Sequence, residues 1–147
     1  MYPRLAARAL IVEEGRLLLV NAYADGKSDL WCAPGGGVEA GADIPSNLKR
    51  EVYEETGLTI SVGGLVLLSE FHDPASDFHQ VDLFFRARIE GGRLDGAWMD
   101  PDAIVTQRQF FSRAEMAAIR FKPTSLPQIA FGTDAGIHYD ALEPIVV

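Results

Sequence analysis

The chain has 147 residues, a formal net charge of −8 and a single cysteine, Cys32. That length suits one domain with a genuine core. One cysteine excludes an internal disulfide and any cysteine-based zinc site, and the acidic balance argues against general nucleic-acid binding, which needs a basic face. Hydrophobic content of 48% and charged content of 23% are ordinary for a globular chain. No apolar run reaches the ~20 residues of a membrane span, and the N-terminal MYPRLAARAL has no signal-peptide pattern. Cytoplasmic residence without a membrane partner is the expectation.

Residues 3–13 read as a first strand, Glu14-Gly15 as a tight turn, and residues 16–23 as a second strand pairing with the first as a hairpin. The run Leu17-Leu18-Leu19-Val20 implies burial on both faces. Residues 24–30 form a polar loop in which Lys27 is chiefly a solvated lysine. Trp31 to Pro34 read as a short strand entering a loop of three glycines, Gly35, Gly36 and Gly37. Glycine lets a backbone approach a ligand closely and present its amides and carbonyls.

A helix follows. Asp43 is the predicted N-cap, Pro45 sits in the first turn, and Gly57 is the C-terminal stop. Ile44, Leu48 and Val52 recur every fourth residue as the buried stripe. At about 100° per residue, Glu55 falls almost in line with that stripe, Glu51 at its edge and Glu54 one step further round. Three costs attach to this arrangement. Glu51 and Glu55 are like charges at i, i+4; all three acids sit where the macrodipole favours cations; and a partly buried carboxylate cluster is expensive to desolvate. Arg50, four residues before Glu54, offsets part of this. A divalent cation would remove the penalty, and hard oxygen ligands suit Mg²⁺ or Mn²⁺. The plainer reading, a solvated acidic face on a surface helix, does not account for the helical phase or the glycines upstream.

Residues 36–58 resemble the Nudix box, G-x5-E-x7-R-E-U-x-E-E-x-G-U, where U is aliphatic. Gly36, Arg50, Glu51, Val52, Glu54, Glu55, Gly57 and Leu58 match eight of the nine fixed positions. The departure is Ala42, where the family usually has glutamate; Asp43 next door could substitute only if the loop shifts by one residue. The resemblance implies an α/β/α sandwich around a mixed β-sheet, a single Nudix domain over residues 1–147, and the box helix against one sheet face. It also implies hydrolysis of a nucleoside diphosphate linked to some group X. By position, Glu51, Glu54 and Glu55 become ligands of Mg²⁺ or Mn²⁺, Gly35 or Gly36 offers a backbone carbonyl, and Arg50 orients the carboxylates. Glu51, or an acid on a later loop, is the candidate base. The partner implied is a nucleotide-like small molecule: a nucleoside triphosphate, ADP-ribose, a nucleotide sugar or a dinucleoside polyphosphate. Dimers are common in the family, so a homodimer falls within the expectation. The alternative is a non-catalytic Nudix-fold regulator that binds a nucleotide without hydrolysing it.

After the box, residues 58–70 read as strand, glycine break at Gly63-Gly64, and strand. Residues 71–80 read as a loop whose His72 and His79 lack helical metal spacing. Residues 81–89 read as a strand with Val81, Leu83, Phe85, Ala87 and Ile89 on one face and Asp82, Phe84, Arg86 and Arg88 on the other. A charged strand face often lines a cleft, so Arg86 and Arg88 are candidate phosphate contacts, balanced against an ordinary solvent-facing role. Residues 93–102 are a turn-rich loop and residues 104–111 a final strand. Ser112 to Glu115 form a capping box that opens a short helix. Many Nudix members place an acid just before the aromatic pair that stands here as Phe110-Phe111. This chain has Gln107 there, so a further acid must come from Glu70, Asp73, Asp77, Asp82, Asp100 or Asp102. Tyr23, Trp31, Phe78 and Trp98 are candidate base-stacking residues, with core packing the commoner use of each. Residues 126–131 read as a helical turn and the remainder as extended chain.

Overall fold

The computed structural model describes residues 2–147. Strand β1 (Arg4–Glu13) is its axis. Glu14 and Gly15 both take positive φ and turn the chain into β2 (Arg16–Asn21), which pairs antiparallel with β1 only near the turn. Beyond that point the two strands diverge. One end of the sheet adds β3 (Leu30–Cys32) beside β2, and the other adds β5 (Thr59–His72) and β6 (His79–Gly91), with β6 parallel to β1 and antiparallel to β5.

The three glycines form no loop. Gly35–Gly37 is a short strand, β4, antiparallel to Ala6–Arg8 of β1. The approach is so close that a Cβ at Gly35 would lie 2.0 Å from the Ala7 carbonyl oxygen. Glycine at position 35 is therefore required by strand packing.

Helix α1 (Ile44–Thr56) lies on one sheet face. Leu48 and Val52 pack with Ala7, Ala9 and Ile11 of β1 and with Leu58, Ile60 and Ala87. Full burial of each such side chain contributes about 1.5–3 kcal/mol. The opposite face carries α2 (Arg113–Met116) and α3 (Leu126–Ala130), whose Met116, Leu126 and Ile129 pack with Leu10, Leu17, Leu19 and Phe84. Leu17 and Leu19 enter one core and Leu18 the other, as burial on both faces requires. The architecture is a curled mixed sheet between helices, as expected.

Four boundaries differ from the sequence reading. Strand β2 ends at Asn21. Residues 58–70 do not break at the glycines: β5 is one strand whose register slips around Gly63-Gly64, a bulge that keeps pairing on both sides. The loop assigned to residues 71–80 shrinks, because pairing of β5 with β6 runs to His72↔His79. The last long strand, β7 (Arg108–Ser112), starts four residues late. Residues 104–107 are instead held by Asn21, whose Oδ1 accepts from the Thr106 and Gln107 amides and whose Nδ2 donates to the Ile104 carbonyl. Ser112 and Glu115 do form the capping box. After β8 (Arg120–Phe121) and α3, the chain returns to the sheet. It adds β9 (His138–Tyr139) and β10 (Glu143–Pro144), both parallel to β5. No helix among the described residues is long and apolar enough to cross a membrane.

Candidate active site

Helix α1 delivers its acids through well-set ends. The Asp43 carboxylate accepts from the Ser46 amide at 3.0 Å, so Asp43 is committed to capping and does not stand in for a glutamate at Ala42. Gly57 stops the helix at φ 76°, and its amide donates to the Tyr53 carbonyl. Arg108 of β7 donates its Nε–H to the Glu55 carbonyl at 2.7 Å, and the Trp98 indole N–H donates to the Glu54 carbonyl at 2.9 Å. Both tie down the last turn, where carbonyls lack helical partners.

Glu55 is only 6% exposed and its Oε1 accepts the Gly35 N–H at 3.1 Å. Burial pushes its carboxyl up to about 8, although Arg8 and the Gly35 amide pull the other way. Glu51 is half-buried, and burial raises its carboxyl above the usual carboxylate range against the opposing pull of Arg50. Its carboxylate lies against Gly36 so closely that a Cβ there would come within 2.7 Å of Cδ and Oε2. The first box glycine is thus shaped around the first box glutamate.

Arg50 hydrogen-bonds three carboxylates. Its Nη1 donates to both oxygens of Glu54 at 3.0 and 3.1 Å, and its Nη2 donates to Glu51 at 3.2 Å and to Glu39 at 3.3 Å. Glu54 is thereby drawn to the arginine, and it is Glu51 and Glu55 that line the adjoining cavity. Among the described residues, no three acidic, histidine or cysteine side chains converge as a ready ion cage. The donors beside the cavity nevertheless suit a hard cation. They are two clustered carboxylates, one of them costly to ionise without a partner, beside the backbone of Gly35 and Gly36.

The cavity has a volume of about 420 Å³. Its floor holds a polar chain that sequence reasoning missed. Arg4 donates to Gln80 at 2.9 Å, Gln80 donates to Asp82 at 2.8 Å, and Asp82 lies 3.6 Å from the Arg8 Nε. Arg8 also donates to the Ala33 and Gly35 carbonyls at 3.3 and 3.4 Å. Burial would lower the Arg8 pKa, but Asp82 and Glu55 outweigh it, so Arg8 stays charged. The available signal was an arginine in the middle of an apolar strand, where an unpaired charge is not tolerated.

Arg86 and Arg88 do not line this cavity. Arg86 donates to the Ile129, Ala130 and Gly132 carbonyls and so fastens the end of α3, and Arg88 is exposed. Of the later acids, Asp82, Asp100 and Asp102 line the cavity. Asp100 is occupied in its own loop, accepting from the amides of Asp102, Ile104 and Val105. Glu70 is held by His79 and Tyr139, and Asp73 closes the β5–β6 turn. Tyr23 and Phe78 line the cavity; Trp31 packs edge-on against Phe111 and Trp98 against Tyr53.

Comparison with known proteins agrees with this geometry. The family model of the NUDIX domain matches residues 2–130. The chain is 28% identical over 94 residues to an ADP-ribose pyrophosphatase of Methanocaldococcus jannaschii, covering 64% of this chain and 56% of that protein. It is 38% identical over 76 residues to an RNA pyrophosphohydrolase of Brucella ovis, covering 52% of this chain and 42% of that protein. The chain thus spans about half the length of these two relatives. Among solved structures, an ADP-ribose pyrophosphatase of Streptococcus suis superposes with a TM-score of 0.69 at 22% identity, covering 98% of this chain and 100% of that one. With a curled mixed sheet, the box helix and a family match over most of its length, the chain belongs to the Nudix family.

Proposed function

We propose that the protein is a divalent-metal-dependent hydrolase of the pyrophosphate bond in a nucleoside diphosphate linked to X. The observation that carries the reading is the pair Glu51 and Glu55, two carboxylates raised by burial at one cavity beside Gly35 and Gly36. A pure nucleotide binder has no need of a buried acid pair facing phosphate. Glu51, Glu55 and a carbonyl of Gly35 or Gly36 would hold Mg²⁺ or Mn²⁺, with Glu54 joining on release from Arg50. The bound ion would neutralise phosphate oxygens and acidify a water.

The protein's own groups supply the rest. Arg50 and Arg108 fix the helix end and its acids, and Arg8 holds the Gly35 carbonyl in place. In the reaction the water oxygen forms a bond to phosphorus, the bond from phosphorus to the bridging oxygen breaks, and the bridging oxygen leaves with the second phosphate. The water proton passes to a cavity carboxylate, Glu51 or Asp102. The names of the relatives bring ADP-ribose and RNA into consideration as substrates.

The test is product release from ADP-ribose, UDP-glucose, dATP and a 5′-triphosphorylated RNA with Mg²⁺, for the wild type and Glu51→Gln. The proposal expects turnover of at least one substrate, abolished by chelator and reduced at least 100-fold in the variant, the scale of losing a metal-bound reactive group. Nucleotide binding without turnover would favour the regulator.

A further inference from the structure

The family match ends at residue 130, but the cavity wall does not. Glu143, Pro144, Ile145 and Val146 line the cavity together with Tyr23 and Phe78. This stretch is firmly held. The Asp140 amide donates to the Leu68 carbonyl at 2.9 Å and the Ile145 amide to the His72 carbonyl at 2.8 Å. The Tyr23 hydroxyl donates to the Val146 carbonyl at 2.9 Å, and Lys122 pairs with Glu143 at 3.5 Å. The Tyr139 hydroxyl donates to Glu70, and the Ser125 hydroxyl donates to Asp140.

We propose that residues 143–146 are the substrate-selecting wall of the cavity: they fit it to a free, compact nucleoside diphosphate derivative and reject a diphosphate that continues into a polynucleotide. The inference rests on the hydrolase reading of the Glu51 and Glu55 end. Three observations carry it. The cavity volume of about 420 Å³ is that of a small-molecule site. The wall offers apolar and aromatic surface suited to a base or sugar, contributed by Tyr23, Phe78, Pro144, Ile145 and Val146. Of the cations that line the cavity, Arg8 is paired with Asp82 and Lys122 with Glu143, and Arg4 donates to the Gln80 amide. A polynucleotide needs the opposite, an open basic track along its phosphates, and the chain carries a net charge of −8.

The test compares the wild type, the double variant Ile145→Ala/Val146→Ala and the single variant Ile145→Trp, all as full chains. Steady-state kinetics with Mg²⁺ are measured on ADP-ribose, UDP-glucose and a 5′-triphosphorylated RNA, with equilibrium binding of the same three ligands in parallel. The wild type is expected to favour the better of the two compact substrates over the RNA by at least about 100-fold in kcat/KM. The double variant should raise KM for that substrate about tenfold with kcat within about threefold, since the wall contacts a part of the molecule that does not react. Ile145→Trp should weaken compact-ligand binding and leave RNA binding as poor as before. RNA turnover matching that of the compact substrates would overturn the inference and leave the hydrolase reading intact. Unchanged KM and binding in both variants would also overturn it. Absence of turnover by the wild type on every substrate would overturn the hydrolase reading; equal binding of compact ligand and RNA would then overturn the wall as well.

Discussion

Replacing Glu55 by glutamine should inactivate the protein and make it more stable. Glu55 is 6% exposed, and burial raises its carboxyl from 4.5 to about 8. The folded value lies above the unfolded one, so folding takes up a proton at Glu55 between those pH values. The associated stability is fully present below about pH 4.5 and is lost as pH rises toward 8, at roughly 1.4 kcal/mol per pH unit. At pH 7 the cost amounts to roughly 3 kcal/mol. Glutamine carries no charge and keeps an oxygen for the Gly35 N–H, though its amide N–H groups need partners of their own. A net gain of about 2 kcal/mol at pH 7 is expected, or about 4–8 °C in Tm for a chain of this size. The assay is urea unfolding of both proteins in EDTA at pH 5 and pH 7. At pH 5 the two should differ by less than about 1 kcal/mol, and the gap should widen at pH 7. Equal stability at pH 7, or a gap independent of pH, would refute the argument that Glu55 is a carboxylate held at a cost.

Other expectations follow from the same contacts. Gly36→Ala should leave the fold intact but push the flexible Glu51 carboxylate aside, lowering turnover about 100-fold in steady-state kinetics. Gly35→Ala puts Cβ against the Ala7 backbone at φ 148°, so it should destabilise by about 3 kcal/mol or more, read as a loss of Tm. Asp43→Ala removes the α1 cap and should cost about 1 kcal/mol in chemical unfolding, with kcat little changed. Saturating Mg²⁺ should raise the wild-type Tm, by the equivalent of about 2.7 kcal/mol at a hundredfold excess over Kd, and the rise should shrink in Glu51→Gln.

The helix and its acids were legible because their signals are local. Asp43, Gly57 and the Ile44, Leu48, Val52 stripe all lie within fifteen residues, and the phase of that stripe places Glu55 inward before any tertiary contact is known. The capping box at Ser112 was legible for the same reason. What escaped depended on distant partners. Glycine propensity reads Gly35–Gly37 as a loop, and only pairing with β1 makes it a strand. Arg86 has the chemistry of a phosphate contact, but three carbonyls at the end of α3 claim it, some forty-five residues away in sequence. Glu54 has helical phase close to that of its neighbours, yet it pairs with Arg50 and does not line the cavity. The Arg4, Gln80, Asp82 and Arg8 chain joins strands that are adjacent only because β6 runs parallel to β1. The tail carries no motif at all; its place beside the cavity follows from where β9 and β10 pair with β5.

The proposed hydrolysis requires Glu51 and Glu55 to act together on one cation. Mn²⁺ titration of the purified protein, followed by electron paramagnetic resonance of the free ion at pH 7.5, tests this most directly. Saturable binding of one ion at the cavity, weakened at least tenfold in both Glu51→Gln and Glu55→Gln but little changed in Arg88→Gln, is the predicted result. Binding that is indifferent to both glutamates, or absent in the wild type even with ADP-ribose present, would contradict it.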